Sequence, residues 1–165
     1  MSRQVNVTTA QAPPDSPALA PWLGLLRAHA NVTRDLNARL VADHGLTLND
    51  YEVLVRLSRA PDRQLRRVDL ANEVLLTASG ITRLLDGLER AGWVERGVCQ
   101  SDARVSYAVL TVAGLRKLRE ASKTHLRDVH GVFAERYTDD ELAVLAELLE
   151  RLPGAAADGE TCDAG

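Results

Sequence analysis

The 165-residue sequence contains only two cysteines, Cys99 and Cys162, and no apolar run long enough to cross a membrane. A disulfide framework needs more cysteines, and a membrane-spanning helix needs about 20 consecutive apolar residues. The amino-terminal residues also lack the basic segment followed by an apolar core that marks a secretory signal. We therefore expect a protein of the reducing cytoplasm that has no membrane partner.

The common motifs of catalysis are absent as well. The chain has no Gly-x-Ser-x-Gly, no glycine-rich phosphate loop and no His-Glu-x-x-His. Two histidines on one predicted helix, His125 and His130, lie about 140° apart around its axis and do not share a face. The sequence therefore predicts a protein that is not an enzyme and that has neither a cofactor nor a metal site. His125, at a heptad position, is interpreted as a core residue.

Charge is distributed unevenly along the chain. The net charge is −3, but residues 138–165 hold eight acidic residues and one basic residue, which leaves 19 basic and 15 acidic residues elsewhere. The local field decides phosphate affinity, so the acidic total does not exclude a nucleic-acid partner. Eighteen of the 20 basic residues are arginine, a choice that suits bidentate phosphate and guanine contacts and also fits a GC-rich codon bias.

The strongest pattern lies in residues 77–110. Apolar residues recur at helical spacing and form one stripe, whereas polar residues fall on the opposite face. Thr77 is a suitable N-cap, and Gly92 lies just past the expected end. A polar outer face fits a DNA major groove, but it also fits a helix that only covers a core. The stripe is Ile81, Leu84, Leu85 and Leu88, and the polar face is Ser79, Arg83, Asp86 and Arg90.

A β-hairpin is predicted after this helix. Residues 93–99 and 105–110 are rich in β-branched and aromatic side chains, and the polar residues 100–104 between them are typical of a turn. Asp102 can hold the side chain of Arg104 or stiffen the tip. Arg104 would then reach a neighbouring minor groove.

Helices are predicted for most of the remaining chain. The first spans residues 18–42 and ends at Gly45, the second begins at Thr47, and the third spans 68–74. A fifth spans 111–136, and the last begins at Thr138 with a capping box. The apolar stripes of the first and last two helices are larger than one subunit can cover, which predicts a partner subunit. On the first helix the inward side is expected to be Leu19, Trp22, Leu26, Thr33, Leu36 and Leu40.

Three segments together resemble the MarR (multiple antibiotic resistance regulator) family: ITRLLDGLERAGWVER, SDAR and LTVAGL. The resemblance implies a mainly α fold with a small β-hairpin wing, in which residues 46–110 form a winged helix-turn-helix. Residues 18–45 and 111–153 would form a helical dimerisation region, flanked by disordered tails at 1–17 and 154–165. It further implies a homodimer that binds an inverted-repeat operator in double-stranded DNA, more often as a repressor, and that a small molecule often releases.

The DNA contacts expected from this arrangement lie on the third helix, the fourth helix and the wing. The fourth helix would enter the major groove, and Arg83 would read a base edge. Two arginines replace the usual Ser or Thr at the start of the third helix and place positive charge near the phosphate path. The candidate residues are Arg66, Arg67, Thr77, Ser79, Thr82, Arg83, Arg90, Asp102 and Arg104.

A small aromatic effector is the other expected partner. Trp22, His29 and Tyr51 can surround a planar ring, with Arg27 or His44 meeting a carboxylate. Trp22 and Tyr51 are equally compatible with plain core positions. A zinc-responsive or peroxide-responsive regulator of the same family is a further alternative. Peroxide-sensing members use a cysteine near the start of the first helix, which this chain lacks, and Cys99 is expected at the wing base. The rival class of function is a winged-helix module for protein contacts.

Overall fold

The computed structural model describes residues 16–74, 76–98 and 106–153, and within them the chain is mainly helical. This confirms the predicted class, a helical protein with a small β-hairpin. No helix in these ranges is long and apolar enough to span a membrane. The helices are α1 Leu19–His44, α2 Leu48–Arg59, α3 Arg67–Glu73, α4 Ala78–Arg90, α5 Val112–Ala134 and α6 Asp139–Glu150. The strands are β1 Gln64–Arg66, β2 Val94–Val98 and β3 Ser106–Leu110.

Four of the helices begin at a threonine whose hydroxyl accepts a hydrogen bond from the backbone N–H three residues later. These threonines are Thr47, Thr77, Thr111 and Thr138. The first and last form complete capping boxes with Asp50 and Glu141. All four starts agree with the sequence, because capping is a local interaction that short-range patterns report.

Several boundaries differ from the prediction by one or two residues. α3 begins at Arg67 rather than Val68, and α5 ends at Ala134 rather than Arg136. Gly45 and Gly92 follow α1 and α4 with φ values of +65° and +74°, the left-handed region that glycine adopts without strain.

The sheet has three antiparallel strands in the order β1-β3-β2. In the hairpin Val94 pairs with Leu110, and Val98 pairs with Ser106. β1, which the sequence did not predict, pairs Leu65 with Ala108 on the other side of β3. The sheet therefore ties the segment before α3 to the wing.

The core of residues 36–153 lies between α2, α3, α4, the sheet and α5. Its largest fully buried side chains are Leu46, Leu54, Leu57, Leu70, Leu85, Leu88, Val53 and Val94. α5 starts against the turn that follows α4: the Thr111 hydroxyl donates to the Gly92 carbonyl at 2.8 Å, and the Thr111 N–H donates to the Trp93 carbonyl at 3.1 Å. A Cβ atom on Gly114 would lie 2.0 Å from that Trp93 oxygen, so only glycine fits.

The chain divides into two units, residues up to Asp35 and residues from Leu36. In the first unit Leu19, Trp22 and Leu26 are exposed, with Trp22 exposed over 55% of its surface. The described residues of the single chain leave these side chains uncovered, so their burial against a partner subunit stays a prediction. In the second unit Leu36 and Leu40 are buried, as expected.

Candidate nucleic-acid interface

α4 presents a polar face to solvent because its other face is fixed in the core. Ile81, Leu85 and Leu88 are buried and Leu84 is partly buried against the core, which confirms the predicted stripe. The helix begins at Thr77, whose Oγ1 accepts the Gly80 N–H at 3.1 Å. The exposed residues of the outer face are Ser79, Thr82, Arg83, Asp86 and Arg90.

The two basic side chains of this face have different surroundings. Arg90 donates from Nε to the Asp86 backbone carbonyl at 3.1 Å, which holds it along the last turn. Arg83 could have formed a surface pair with Asp86, but within the described chain no such pair forms, and Asp86 faces Arg67 instead. The Arg83 guanidinium is therefore available to a ligand of the outer face.

Arg66 lies directly before α3 and forms an ion pair with Asp69 in the first turn of that helix. Its Nε and Nη2 donate to the two Asp69 oxygens at 2.6 and 3.0 Å, a two-pronged ion pair. These hydrogen bonds raise the pKa of the Arg66 guanidinium, which stays charged and exposed. As the sequence suggested, no side chain caps the start of α3.

Arg67 is placed differently from what the sequence led us to expect. Its side chain is only 16% exposed and points to α4, where Nη2 lies 3.8 Å from Asp86 Oδ1 and 3.6 Å from Glu89 Oε1. In this conformation it contacts a neighbouring helix rather than the outer face. The predicted phosphate contact of Arg67 remains untested.

The two strands of the wing carry a further arginine. Arg96 on β2 is exposed, and its Nε donates to the Ser106 hydroxyl on β3 at 3.1 Å. Arg96 could not be foreseen from the sequence, because strand alternation places it on the same face as buried Val94. The tip residues Asp102 and Arg104 lie outside the described residues, as does Cys99.

Comparison with known proteins identifies the family behind this geometry. The MarR family model matches residues 44–105. The HTH-type transcriptional repressor YetL of Bacillus subtilis is 34% identical over 115 residues, which cover 67% of this chain and 68% of the repressor. This chain belongs to the MarR family. The resemblance inferred from the sequence is thereby confirmed.

Solved structures of MarR family regulators share this fold over most of the chain. AbsC of Streptomyces coelicolor superposes with a TM-score of 0.74 at 30% identity, covering 85% of this chain and 93% of AbsC. Sco3205 of the same organism, solved in complex with DNA, has a TM-score of 0.73 at 30% identity and covers 79% of this chain and 85% of its own. The matches show the winged-helix fold of the family.

The residues expected to bind an aromatic effector divide between the two units of this MarR family chain. In the first unit Trp22, Arg27 and His29 are exposed on α1, so the alternative of a plain core position is wrong for Trp22 in the single chain. In the second unit Tyr51 packs against the core, as that alternative proposed.

The polar groups of the second unit are engaged with α5. His44 Nε2 lies 2.5 Å from Thr124 Oγ1, and the Tyr51 hydroxyl lies 3.1 Å from Ser122 Oγ. The Tyr51 ring also contacts the His125 ring, with 4.7 Å between their centroids. Effector binding at His44 and Tyr51 stays a prediction.

His125 is a core residue, as its heptad position predicted. It is buried, and this burial lowers the pKa of its imidazole, against a smaller opposing effect of Asp128. In the part of the chain that the structure describes, no three His, Cys, Asp or Glu side chains form a group that could hold a metal ion.

Proposed function

We propose that this chain is a homodimeric, sequence-specific DNA-binding transcriptional repressor that uses α4 as its recognition helix. The observation that carries the proposal is the polar outer face of α4, held by a buried stripe in a winged helix-turn-helix. A B-DNA major groove is about 12 Å wide and accepts one helix. The repressor name of a relative and the DNA complex of Sco3205 support the same function.

Each part of the outer face has a proposed role. Ser79 and Thr82, in the first half of α4, contact base edges and phosphates, and Arg83 reads a guanine edge. Thr77, Arg66 and Arg90 are the proposed phosphate contacts of the helix-turn-helix, whereas Arg67 contacts Asp86 and Glu89 of α4. Asp102 positions Arg104 for the minor groove.

The proposed homodimer is supported by apolar helix faces that the single chain leaves uncovered. On α6 Val144 and Leu148 are at least half exposed, and Leu145 lines a shallow apolar groove with them. On α1 Trp22 and Leu26 are similarly exposed. Because exposed apolar patches of this kind mark interfaces, we propose that residues 18–45 and 111–153 form the dimerisation region and residues 46–110 the DNA-binding domain.

A twofold dimer determines the form of the operator. Two recognition helices related by a twofold axis meet two half-sites about one helical turn apart, which makes the operator an inverted repeat. We further propose that a small aromatic or phenolic effector releases the DNA. A thermal-shift screen of aromatic acids, with and without operator, tests this step, since a releasing effector stabilises the free protein and destabilises the complex.

The DNA-binding proposal is tested by a gel shift of the full chain on the DNA upstream of its own coding sequence. We expect one retarded species, of two chains per site, that survives excess scrambled competitor and weakens as salt rises. Equal retention of scrambled DNA, or none at all, would favour a winged-helix module for protein contacts.

A further inference from the structure

The most unusual charged contact of the described chain joins the start of α3 to the second half of α4. Arg67 is the first residue of α3, and its guanidinium lies between two acids of α4, Asp86 and Glu89. The Arg67 and Glu89 side chains are only 16% and 27% exposed, whereas most of the other ion pairs among the described residues lie on the open surface. This contact therefore differs from the ordinary solvated pairs, which contribute little.

The contact is made by charge alone. Arg67 Nη2 and Glu89 Oε1 are buried atoms without a hydrogen-bond partner among the described residues, and 3.6 Å separates them. A buried charge that loses its partner is strongly unfavourable, so each group keeps the other in place. The relative position of α3 and α4 is thus sensitive to either side chain.

The acids belong to the helix that carries the proposed recognition face. Asp86 lies one turn after Arg83, and its backbone carbonyl accepts the hydrogen bond of Arg90. A cation fixed between Asp86 and Glu89 therefore limits the rotation of α4 about its own axis. A small rotation would move the Arg83 side chain away from a base edge, because a helix side chain lies several ångströms from the axis.

We propose that Arg67 is a positioning residue of the recognition helix and not a phosphate contact. It sets the orientation of α4 through Asp86 and Glu89. The inference rests on the proposed DNA-binding function and replaces the role that the sequence alone suggested for Arg67.

The two roles predict opposite results for one isosteric change, Glu89→Gln. If Arg67 positions α4, this change removes the charge of the nearer and more buried of its two acidic partners, and operator affinity falls by roughly three- to tenfold, as for groups coupled in one network. If Arg67 binds phosphate, the acid competes with DNA for the guanidinium, and Glu89→Gln strengthens binding to every sequence. Glu95→Gln, an exposed acid on β2, is the matched control for the loss of one negative charge.

A second variant, Arg67→Met, separates the roles by salt dependence. We expect it to lower operator affinity as Glu89→Gln does, with the affinity for scrambled DNA and the salt slope unchanged. The double variant, with both Glu89→Gln and Arg67→Met, should bind the operator no less tightly than the single variant that has the lower affinity. Equal loss on both DNAs with a salt slope reduced by about one would instead establish a phosphate contact. Unchanged operator affinity in both single variants would also overturn the proposal.

Hydrogen exchange of the free protein tests the contact without DNA. In both variants the amides of α4 should exchange faster than in the parent chain and in Glu95→Gln, since the helix loses a fixed neighbour. Unchanged exchange would contradict the positioning role. A parent chain that binds operator and scrambled DNA equally would refute the sequence-specific DNA binding of the proposed function, while faster exchange in the variants would still support the contact.

Discussion

Gly114 lies where α5 closely approaches the turn after α4, and replacing it with alanine should destabilise the protein strongly. The new Cβ would lie 2.0 Å from the Trp93 carbonyl oxygen and 2.8 Å from Leu110 Cδ1. The carbonyl would have to move by about 1 Å or more to reach an ordinary contact. That oxygen accepts hydrogen bonds from the Thr111 N–H and hydroxyl, at 3.1 and 3.2 Å, and both would weaken.

Three contributions determine the stability that Gly114→Ala should lose. Overpacking costs about 2 kcal/mol, and two weakened hydrogen bonds cost about 1 kcal/mol each. The better helix propensity of alanine returns about 1 kcal/mol. The free energy of unfolding should therefore fall by about 3 kcal/mol, which lowers the Tm by roughly 6–12 °C for a chain of this size.

Urea unfolding followed by circular dichroism measures this loss, and α5 itself provides the control. A Cβ on Gly131 would meet nothing closer than the flexible Glu135 carboxylate at 3.8 Å. Gly131→Ala should therefore leave stability unchanged or raise it by up to about 1 kcal/mol. If Gly114→Ala is tolerated as well as Gly131→Ala, the close approach of α5 to Trp93 is incorrect.

Three further predictions concern the dimer, the core histidine and the wing. Leu148→Asp should convert the dimer to a monomer in light scattering, whereas Ala143→Asp on the same helix should not; a dimer that survives Leu148→Asp would exclude α6 from the interface. Because burial lowers the pKa of His125, the unfolded chain takes up the proton first, so stability is complete above about pH 6.5 and falls as the pH drops through the folded pKa. Urea titrations at several pH values should show this loss in the parent and less of it in His125→Gln, and equal slopes would refute it. Arg104→Ala should weaken operator binding strongly with an unchanged Tm, and an affinity within twofold of the parent would contradict the wing assignment.

The local features of the fold could be predicted from the sequence because short-range interactions produce them. Thr47 with Asp50, and Thr138 with Glu141, show their helix starts within four residues. The α4 stripe is likewise a matter of spacing along one helix. β1 could not be predicted, since it has three residues and its partner strand lies about 40 residues further along the chain.

The candidate nucleic-acid interface could be predicted only in part, because some of its contacts join different helices. Helical spacing reports which face of α4 is polar, and therefore indicated Arg83. It does not report what another helix places beside a side chain, so the acids that face Arg67 could not be foreseen. Trp22 shows the same limit on α1: the pattern indicates an apolar face but not whether the same chain covers it.

The claim that α4 reads DNA is tested most directly at Arg83, which lies exposed on the outer face and forms no ion pair with Asp86 in the described structure. Binding of Arg83→Ala to operator and to scrambled DNA should be measured across a salt series, with Arg119→Ala on α5 as the matched loss of an exposed arginine. We expect a loss of about 1–3 kcal/mol, or roughly 5- to 150-fold, that is confined to the operator. Equal loss on both DNAs would make Arg83 a phosphate contact, and unchanged binding to both would contradict the placement of this helix in the groove.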